Sequence, residues 1–216
     1  MLQNLRKLNP NIKFFDVASD EFASYGRIIK NIDVSEITKV CDQIEFPKNG
    51  STYVPSFDSF EKLDIAKNIK DNLFGTLPTQ IGYCLGYNDM LNAVEWHANS
   101  EILIAVTPLV VILGHIWDIK DQKIDSSTFK AFYLPKGTVV EIYATSLHYC
   151  PCQVTDDGFI SVVGLPKDTN TNLETKVEDK LIFCKNKWLL CHVDNKALIE
   201  KGVTAGIVGE NFKINY

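Results

Sequence analysis

Two carboxylates and an imidazole lie close together in the segment Glu95-Trp96-His97-Ala98-Asn99-Ser100-Glu101. Read as a single β-strand, this segment presents four polar side chains on one face, because side chains alternate with a period of two; they are Glu95, His97, Asn99 and Glu101. Such groups are costly to bury without a partner. A divalent metal ion, or a substrate that requires acid–base chemistry, would supply that partner. The alternative is a solvated strand face without function, since this alternation is usual in half-buried antiparallel strands.

A second set of candidate residues follows further along the chain. His148 is either a metal ligand or acid–base group, as imidazoles titrate near neutral pH, or a structural histidine. Glu141 and Tyr143 share a strand face. If that face points inward, we expect Glu141 to act as a base or ligand and Tyr143 to donate a hydrogen bond to substrate; otherwise both are surface residues. Cys150 and Cys152 are in phase with His148, and are either zinc ligands or small buried side chains.

Polar residues also precede the first segment. Tyr83, Asn88 and Asn92 could line the mouth of a pocket and form hydrogen bonds with a hydroxylated substrate. The dipeptide Asn88-Asp89 is equally typical of a plain turn. The sequence therefore leaves both interpretations open for this group.

The elements that must position these residues are mainly short strands. From Thr79 onward, apolar or alternating runs are separated by turn signals such as Pro135-Lys136-Gly137 and Asp156-Asp157-Gly158. This spacing predicts a barrel or sandwich of antiparallel strands. Residues 182–184 and 188–190 flank Lys185-Asn186-Lys187 as the arms of a hairpin would.

The first part of the chain, residues 1–78, has a mixed α and β pattern. Ser35 is placed to cap a helix, and a second helix is predicted from about Phe60 to Phe74, with Gly75 after it. A further short helix is predicted over 196–201. We therefore expect one domain over residues 1–216, with an N-terminal α/β extension (1–78) and a β-barrel core (79–216).

Composition excludes several classes of function. The chain has 216 residues, of which 45% are hydrophobic and 23% charged, as is ordinary for a soluble domain with a core. A net charge of −5 argues against a nucleic-acid partner, which requires a cationic face. The longest apolar run, Ile102 to Trp117, is too short for a membrane span. The N-terminus lacks an apolar segment typical of export signals. We expect a cytoplasmic protein with reduced cysteines and no membrane partner.

Two motifs resemble those of the cupin superfamily. Pro135-Lys136-Gly137 is similar to the P-x-G turn that opens the second cupin motif, and Glu95-x-His97-x-x-x-Glu101 resembles a variant of the first. Glu95 stands where that motif has its first histidine, and a carboxylate can replace imidazole as a ligand for a hard divalent ion. The usual ligand position of the second motif is Val140 here, which leaves Glu141 or His148 as substitutes.

The resemblance implies a mainly β fold, the double-stranded β-helix or jelly-roll barrel of cupins, with a short C-terminal helix. It also implies a metal site between the two motifs, with Glu95, His97, Glu101 and His148 as ligands. The cofactor would be a divalent ion, with zinc, manganese, nickel and iron not distinguished, or no cofactor at all.

One branch of the superfamily is similar in more detail. Ureidoglycolate lyases have a glycine–valine strand and then a histidine-containing element, and residues 137–140 followed by 145–150 are similar in layout. Residues 22–29 resemble the N-terminal F-x-x-(F/Y)-G-x-x-I signature of that family. The chain also resembles an uncharacterised bacterial cupin family with the same architecture.

These features predict a small-molecule enzyme of cupin fold. The first hypothesis is a metal-assisted isomerase, epimerase or lyase that acts on a sugar or small hydroxy acid, with Glu141, His148 and Glu101 as catalytic groups. Its substrate would contact Tyr83, Asn88, Asn92 and Tyr143. The alternatives are a metal-free enzyme of the ureidoglycolate lyase type and a non-catalytic module that binds a small ligand. A homodimer is a further expectation, because cupin-like sheets often bury an edge against a partner.

Overall fold

Sixteen strands and five short helices form the chain, which a computed structural model describes over all residues 1–216. The strands are β1 (Phe14–Asp16), β2 (Gly26–Ile28), β3 (Ser51–Val54), β4 (Thr79–Gly86), β5 (Ala93–Trp96), β6 (Glu101–Ala105), β7 (Leu109–His115), β8 (Ile124–Asp125), β9 (Lys130–Leu134), β10 (Val139–Ile142), β11 (Ser146–Leu147), β12 (Cys152–Gln153), β13 (Phe159–Pro166), β14 (Ile182–Cys184), β15 (Lys187–His192) and β16 (Thr204–Val208). The helices are α1 (Leu2–Leu8), α2 (Ser35–Cys41), α3 (Asp58–Glu61), α4 (Asp64–Asn68) and α5 (Lys196–Glu200). Each helix is too short to span a bilayer.

Two facing sheets form a barrel. The first sheet has the strand order β2-β10-β6-β13-β4-β3, and the second has the order β1-β9-β7, with β11 and β12 both paired to β7. The chain crosses repeatedly between them, since β6 and β10 lie in the first sheet and β7 and β9 in the second. This arrangement is that of a double-stranded β-helix, so the prediction of a mainly β, cupin-type fold is confirmed.

The barrel interior is an apolar core of 16 buried residues contributed by both sheets. On β6, Leu103 and Ala105 face this interior, whereas Ile102 and Ile104 pack on the opposite side with residues of α2, α3 and α4. The alternation follows from the two-residue period of a strand. Glu101 is in phase with Leu103, so its carboxylate enters the barrel.

Residues 1–78 contribute three strands to the barrel sheets. Strand β1 pairs in parallel with β9, β2 pairs with β10, and β3 pairs with β4. The predicted helix at Ser35 is present as α2, but Ser35 is its first residue and not its cap, because Val34 occupies the N-cap position. The helix predicted from Phe60 to Phe74 is instead interrupted, because Leu63 has extended backbone (ψ 150°) and separates α3 from α4. A π-helical turn, Ile69–Leu73, follows α4 directly.

A third sheet has the order β14-β15-β16-β8, and β5 joins it by pairing with β15. The predicted hairpin is present as β14 and β15. Asn186 in its turn has a positive φ of 56°, a conformation that asparagine adopts more readily than most residues. Helix α5 confirms the predicted C-terminal helix, and Gly202 follows it with φ +87°.

The segment from Glu95 to Glu101 is not one strand, and this part of the sequence analysis is wrong. Strand β5 ends at Trp96 and pairs with β15, whereas β6 begins at Glu101 and lies in the first barrel sheet. Because the chain changes sheet between them, residues 97–100 form the connection. The two ends of the segment nevertheless meet at the rim of the barrel.

Candidate functional site

Backbone pairing places Glu95 beside His148. The N–H of Glu95 donates to the His148 carbonyl at 2.6 Å, and the N–H of His148 donates to the Glu95 carbonyl at 3.0 Å. Residues that exchange both hydrogen bonds lie directly opposite each other in an antiparallel pair, and their side chains share a face. Glu95 and His148 therefore project together, although they are distant along the chain.

The other neighbour of β5 brings a lysine to the same face. Leu189 of β15 lies opposite Glu95, so Lys187, two residues earlier, is its diagonal neighbour on that face. The Lys187 ammonium forms an ion pair with Glu95 Oε2, and the two side chains are only 14% and 13% exposed. This pair offsets part of the cost of burying the Glu95 carboxylate.

Glu101 and His97 complete a cluster of four possible ligands. Glu101 Oε2 lies 3.3 Å from Nε2 of His148 and 3.8 Å from Nε2 of His97. One ligand atom from each of Glu95, His97, Glu101 and His148 lies within 4.8 Å of all the others. The four residues predicted as metal ligands are thus brought together by the fold.

Both imidazoles are oriented by backbone carbonyls. His97 Nδ1 lies 2.7 Å from the Asn186 carbonyl oxygen, and His148 Nδ1 lies 3.2 Å from that of Ser146. A carbonyl only accepts, so each Nδ1 carries a hydrogen and donates it. This leaves both Nε2 atoms directed into the cluster, where that of His97 is buried without a hydrogen-bond partner and that of His148 faces the Glu101 carboxylate at 3.3 Å. A metal ligand is typically held in this way.

Burial and charge shift the titration of these groups in different directions. Burial opposes ionisation of Glu95, but the Lys187 ammonium, with His97 and His148, outweighs it and holds the pKa of Glu95 below its ordinary value. Burial lowers the pKa of His97 despite Glu95 and Glu101 nearby. Burial also disfavours the charged form of His148, yet Glu101 and Glu95 prevail and raise the pKa of His148 to about 8.

The donor set fits a divalent ion. Zinc, for example, takes imidazole nitrogen and carboxylate oxygen at about 2.0–2.2 Å. Donors on opposite sides of an ion are therefore at most about 4.4 Å apart, and tetrahedral donors are about 3.4 Å apart. The cluster, whose donor atoms lie within 4.8 Å of one another, needs to contract by at most about 1.5 Å to hold an ion. Two imidazole nitrogens and two carboxylates directed at one another are consistent with such an ion.

A cavity of about 190 Å³ opens beside the cluster. Three of the four candidate ligands, Glu95, Glu101 and His148, form part of its wall, whereas His97 lies behind them. The remaining wall combines an ammonium, hydroxyls, thiols and apolar side chains, namely Ser51, Tyr53, Cys84, Leu103, Tyr149, Cys150, Pro151, Ser161, Val163 and Lys187. The arrangement is a small, partly polar pocket next to a possible metal site.

Glu141, predicted as a catalytic group, is not brought to this site. Its neighbours Val140 and Ile142 face the barrel interior, so strand alternation turns Glu141 to the outer face. There its Oε2 accepts a hydrogen bond from Arg27 Nε at 2.7 Å. Tyr143, predicted to contact substrate, follows the end of β10, and its N–H donates to the Tyr25 carbonyl. Neither residue lines the cavity.

The other three predicted substrate contacts also lie elsewhere. Tyr83 packs edge-to-face on Phe57 on the outer side of the first sheet, with ring centroids 5.4 Å apart. The Asn88 side-chain amide donates to carbonyls of a neighbouring loop, including that of Cys150 at 3.1 Å. Asn92 has φ 57°, and its N–H donates to the Asn211 side chain at 2.9 Å. These asparagines shape the chain near the site without facing the cavity.

The sequence analysis missed several residues of the cavity wall. Lys187 and Tyr53 lie on strands β15 and β3. No local sequence pattern shows how these strands pair with the strands that carry the candidate ligands. The thiol of Cys150 faces the cavity and lies 4.0 Å from that of Cys84. Cys152 instead packs in a separate apolar cluster, so the two cysteines do not join His148 in a thiolate site.

Comparisons with known proteins give a family model and partial structural similarities. A model described as "Domain of unknown function (DUF4867)" matches residues 14–212. No curated protein matches the chain.

The similar solved structures include several of oxalate decarboxylase. One concerns a structural element that modulates proton-coupled electron transfer in that enzyme; it is 12% identical, covers 46% of this chain and 24% of its own, and has a TM-score of 0.33. A mutant from Bacillus subtilis and a structure used to study the Mn(II) centres of that enzyme each give 12% identity, 47% and 25% coverage and a TM-score of 0.33. This chain spans about a quarter of the length of these proteins.

Proposed function

This chain belongs to the family described as a domain of unknown function (DUF4867), and we propose that it is a metal-dependent enzyme of cupin type. Glu95, His97, Glu101 and His148 would hold one divalent ion. The observation that carries this proposal is the convergence of two imidazole Nε2 atoms and two carboxylates in a buried cluster within 4.8 Å.

The donors favour a particular group of ions. Two nitrogen and two oxygen ligands suit zinc, manganese, iron or nickel, and the absence of thiolate or thioether from the cluster disfavours soft ions such as Cu(I). The bound ion would act as a Lewis acid that polarises a carbonyl or hydroxyl oxygen of the substrate.

The chain's own residues supply the remaining chemistry. The carbonyls of Asn186 and Ser146 fix the rings of His97 and His148, so both Nε2 atoms are oriented before an ion binds. Glu95 and Glu101 lie on the cavity wall, and Glu141 does not. Because Glu95 is held in an ion pair with Lys187, Glu101 is the carboxylate placed to move a proton at the substrate. The enclosed position of the cluster limits the access of water to the reacting atoms.

The reaction class that suits these parts is proton transfer at a carbon next to a carbonyl. Isomerisation and epimerisation next to a carbonyl proceed through this step, as does lyase cleavage by elimination of a group β to the carbonyl. The cavity of about 190 Å³ is smaller than the usual range for drug-sized ligands, which favours a substrate of a few carbon atoms.

A second candidate is a metal-free enzyme of the ureidoglycolate lyase type. The observation that favours it is the contact of 3.3 Å between His148 Nε2 and Glu101 Oε2, an imidazole–carboxylate pair on the cavity wall. With its pKa raised to about 8 by Glu101 and Glu95 against the effect of burial, His148 would be a proton donor at neutral pH.

Metal analysis of the purified protein tests the main proposal. We expect about one divalent ion per chain by mass spectrometry, and after chelation, renewed binding of Mn²⁺, Zn²⁺ or Ni²⁺ by calorimetry. Glu101→Gln should weaken binding by more than about 100-fold, because losing even an outer partner of a ligand costs about 10–100-fold. Glu141→Gln is the matched control, because that carboxylate lies outside the barrel, and it should bind as the wild type does.

Failure of the chelated, folded protein to bind any of these ions would refute the metal-dependent function. The second candidate is then tested directly, by measuring glyoxylate release from ureidoglycolate with metal-free protein. Retention of metal binding in Glu101→Gln at wild-type affinity would remove Glu101 from the ligand set.

A further inference from the structure

We propose that the substrate of this site is a small organic acid with one negative charge, and that Lys187 binds its carboxylate. This inference rests on the proposed function, because it concerns the site in its metal-bound form. It goes further in selecting an acid over a neutral sugar and in assigning a specificity role to a residue outside the ligand set.

The first argument is the charge of the pocket. Apart from the histidines, the charged members of the cavity wall are Glu95, Glu101 and Lys187. The metal-loaded site has one excess positive charge. The ammonium and the divalent ion together exceed the two carboxylates by one charge, and the imidazoles are neutral. An uncompensated charge in a buried site is costly. A singly charged acid would neutralise the site, whereas a neutral polyol would leave the charge in place.

The second argument is the free donor capacity of Lys187. An ammonium has three N–H donors. The structure gives Lys187 one carboxylate partner, Glu95, and places its Nζ 5.9 Å from the centre of the Tyr149 ring. The side chain is 14% exposed, and it forms part of the cavity wall. Its remaining donors are therefore available to a ligand, in a position held by the ion pair and by the β5–β15 pairing.

The third argument is size. The cavity of about 190 Å³ is smaller than the range of roughly 300–1,000 Å³ that is usual for drug-sized ligands. An acid of two to four carbons fits this volume. The hydroxyls of Ser51, Tyr53 and Tyr149 on the same wall can form hydrogen bonds with a hydroxyl or keto oxygen beside the carboxylate. The class is therefore a short 2-hydroxy or 2-oxo acid.

A pair of ligands that match in shape but differ in charge tests this proposal by binding alone. Lactate and lactamide have nearly the same shape, but only lactate carries a charge; glycolate and glycolamide form a second pair. We expect the Mn²⁺-loaded wild type to bind the acids at least about tenfold more tightly than the amides. One hydrogen bond to a charged group contributes enough free energy for this difference. Calorimetry measures both affinities.

Variants assign the effect to Lys187. Lys187→Met keeps the aliphatic chain and removes the ammonium, and it should reduce the preference for the acid to less than about threefold, while Mn²⁺ still binds. Lys185→Met is the control on the same hairpin, because Lys185 pairs with Glu174 at 2.7 Å and does not line the cavity. It should keep the wild-type preference.

The outcomes separate this proposal from the proposed function. If Mn²⁺ binds but the acids bind no better than the amides, or do not bind at all, the acid proposal is overturned and the metal site stands. If Lys187→Met retains the full preference, Lys187 is not the specificity residue. If that variant does not fold, the comparison of acid and amide on the wild type still decides the substrate class. If no ion binds, the proposed function itself fails.

Discussion

Metal binding should be linked to the loss of one proton from His148. Glu101 and Glu95 outweigh burial and raise the pKa of His148 to about 8, so at neutral pH its Nε2 carries a proton that an ion must displace. At pH 7 about nine tenths of the metal-free protein has this proton. Between pH 6.5 and 8.5 the affinity should therefore increase about 25-fold, and it should level off above the pKa of His148.

Calorimetry in two buffers with different ionisation enthalpies measures this proton directly. Titration of Mn²⁺ under anaerobic conditions should release about 0.9 proton per ion at pH 7 and about 0.25 at pH 8.5. His97 contributes little in this range, because burial lowers its pKa below the ordinary value despite the nearby carboxylates. Substitution of His148 by Gln should weaken binding and also remove most of its pH dependence.

Two results would contradict this reasoning. Release of less than about 0.3 proton per ion at pH 7 would show that His148 is already neutral before binding. If the number of protons released per ion rises with pH, the proton comes instead from a water molecule bound to the ion. In either case the proton held between His148 and Glu101 would not control the affinity of the site.

Two further predictions concern the metal-free protein and the orientation of His97. Because the folded pKa of His148 is raised from 6.5 to about 8 by Glu101 and Glu95 against burial, its contribution to stability is complete below pH 6.5 and is lost as the pH rises through 8. Urea unfolding of chelated protein should show a decrease of up to about 2 kcal/mol over this window, and a flat profile would contradict the assignment. Asn186→Ala should weaken Mn²⁺ binding about tenfold, because it strains a left-handed turn and removes the Oδ1 that accepts from Ala98 N–H at 3.0 Å, beside His97. Asn186→Gly preserves the backbone conformation and should lose less affinity; equal losses would place the effect in the side chain alone.

Much of the local structure can be read from residues close together in the chain. The turn at Lys185-Asn186, the helix that begins at Ser35 and the short strands after Thr79 follow from turn chemistry and alternation. The ligand types are also visible in the sequence, because a carboxylate and an imidazole two residues apart, at Glu95 and His97, are unusual neighbours in an otherwise apolar region.

The choice between Glu141 and Lys187 required the tertiary structure. Both are charged residues on strands. The side of the sheet on which each side chain lies depends on how its strand is aligned with the neighbouring strand. A shift of one residue in a strand moves every side chain to the other face. Val140 and Ile142 fill the barrel, so Glu141 is on the outside, whereas the pairing of Leu189 with Glu95 turns Lys187 to the site.

The amino-acid sequence by itself determined the mainly β architecture and the four candidate ligands, because strand periodicity, turn residues and ligand chemistry are properties of short segments. The tertiary structure decided that β5 lies between β15 and the backbone at His148, and that the chain changes sheet before Glu101. Those pairings join residues distant along the chain, and their register is set by the packing of the whole barrel. For this reason the pocket wall, with Lys187, Tyr53 and Tyr149, became visible only once the sheets were assembled.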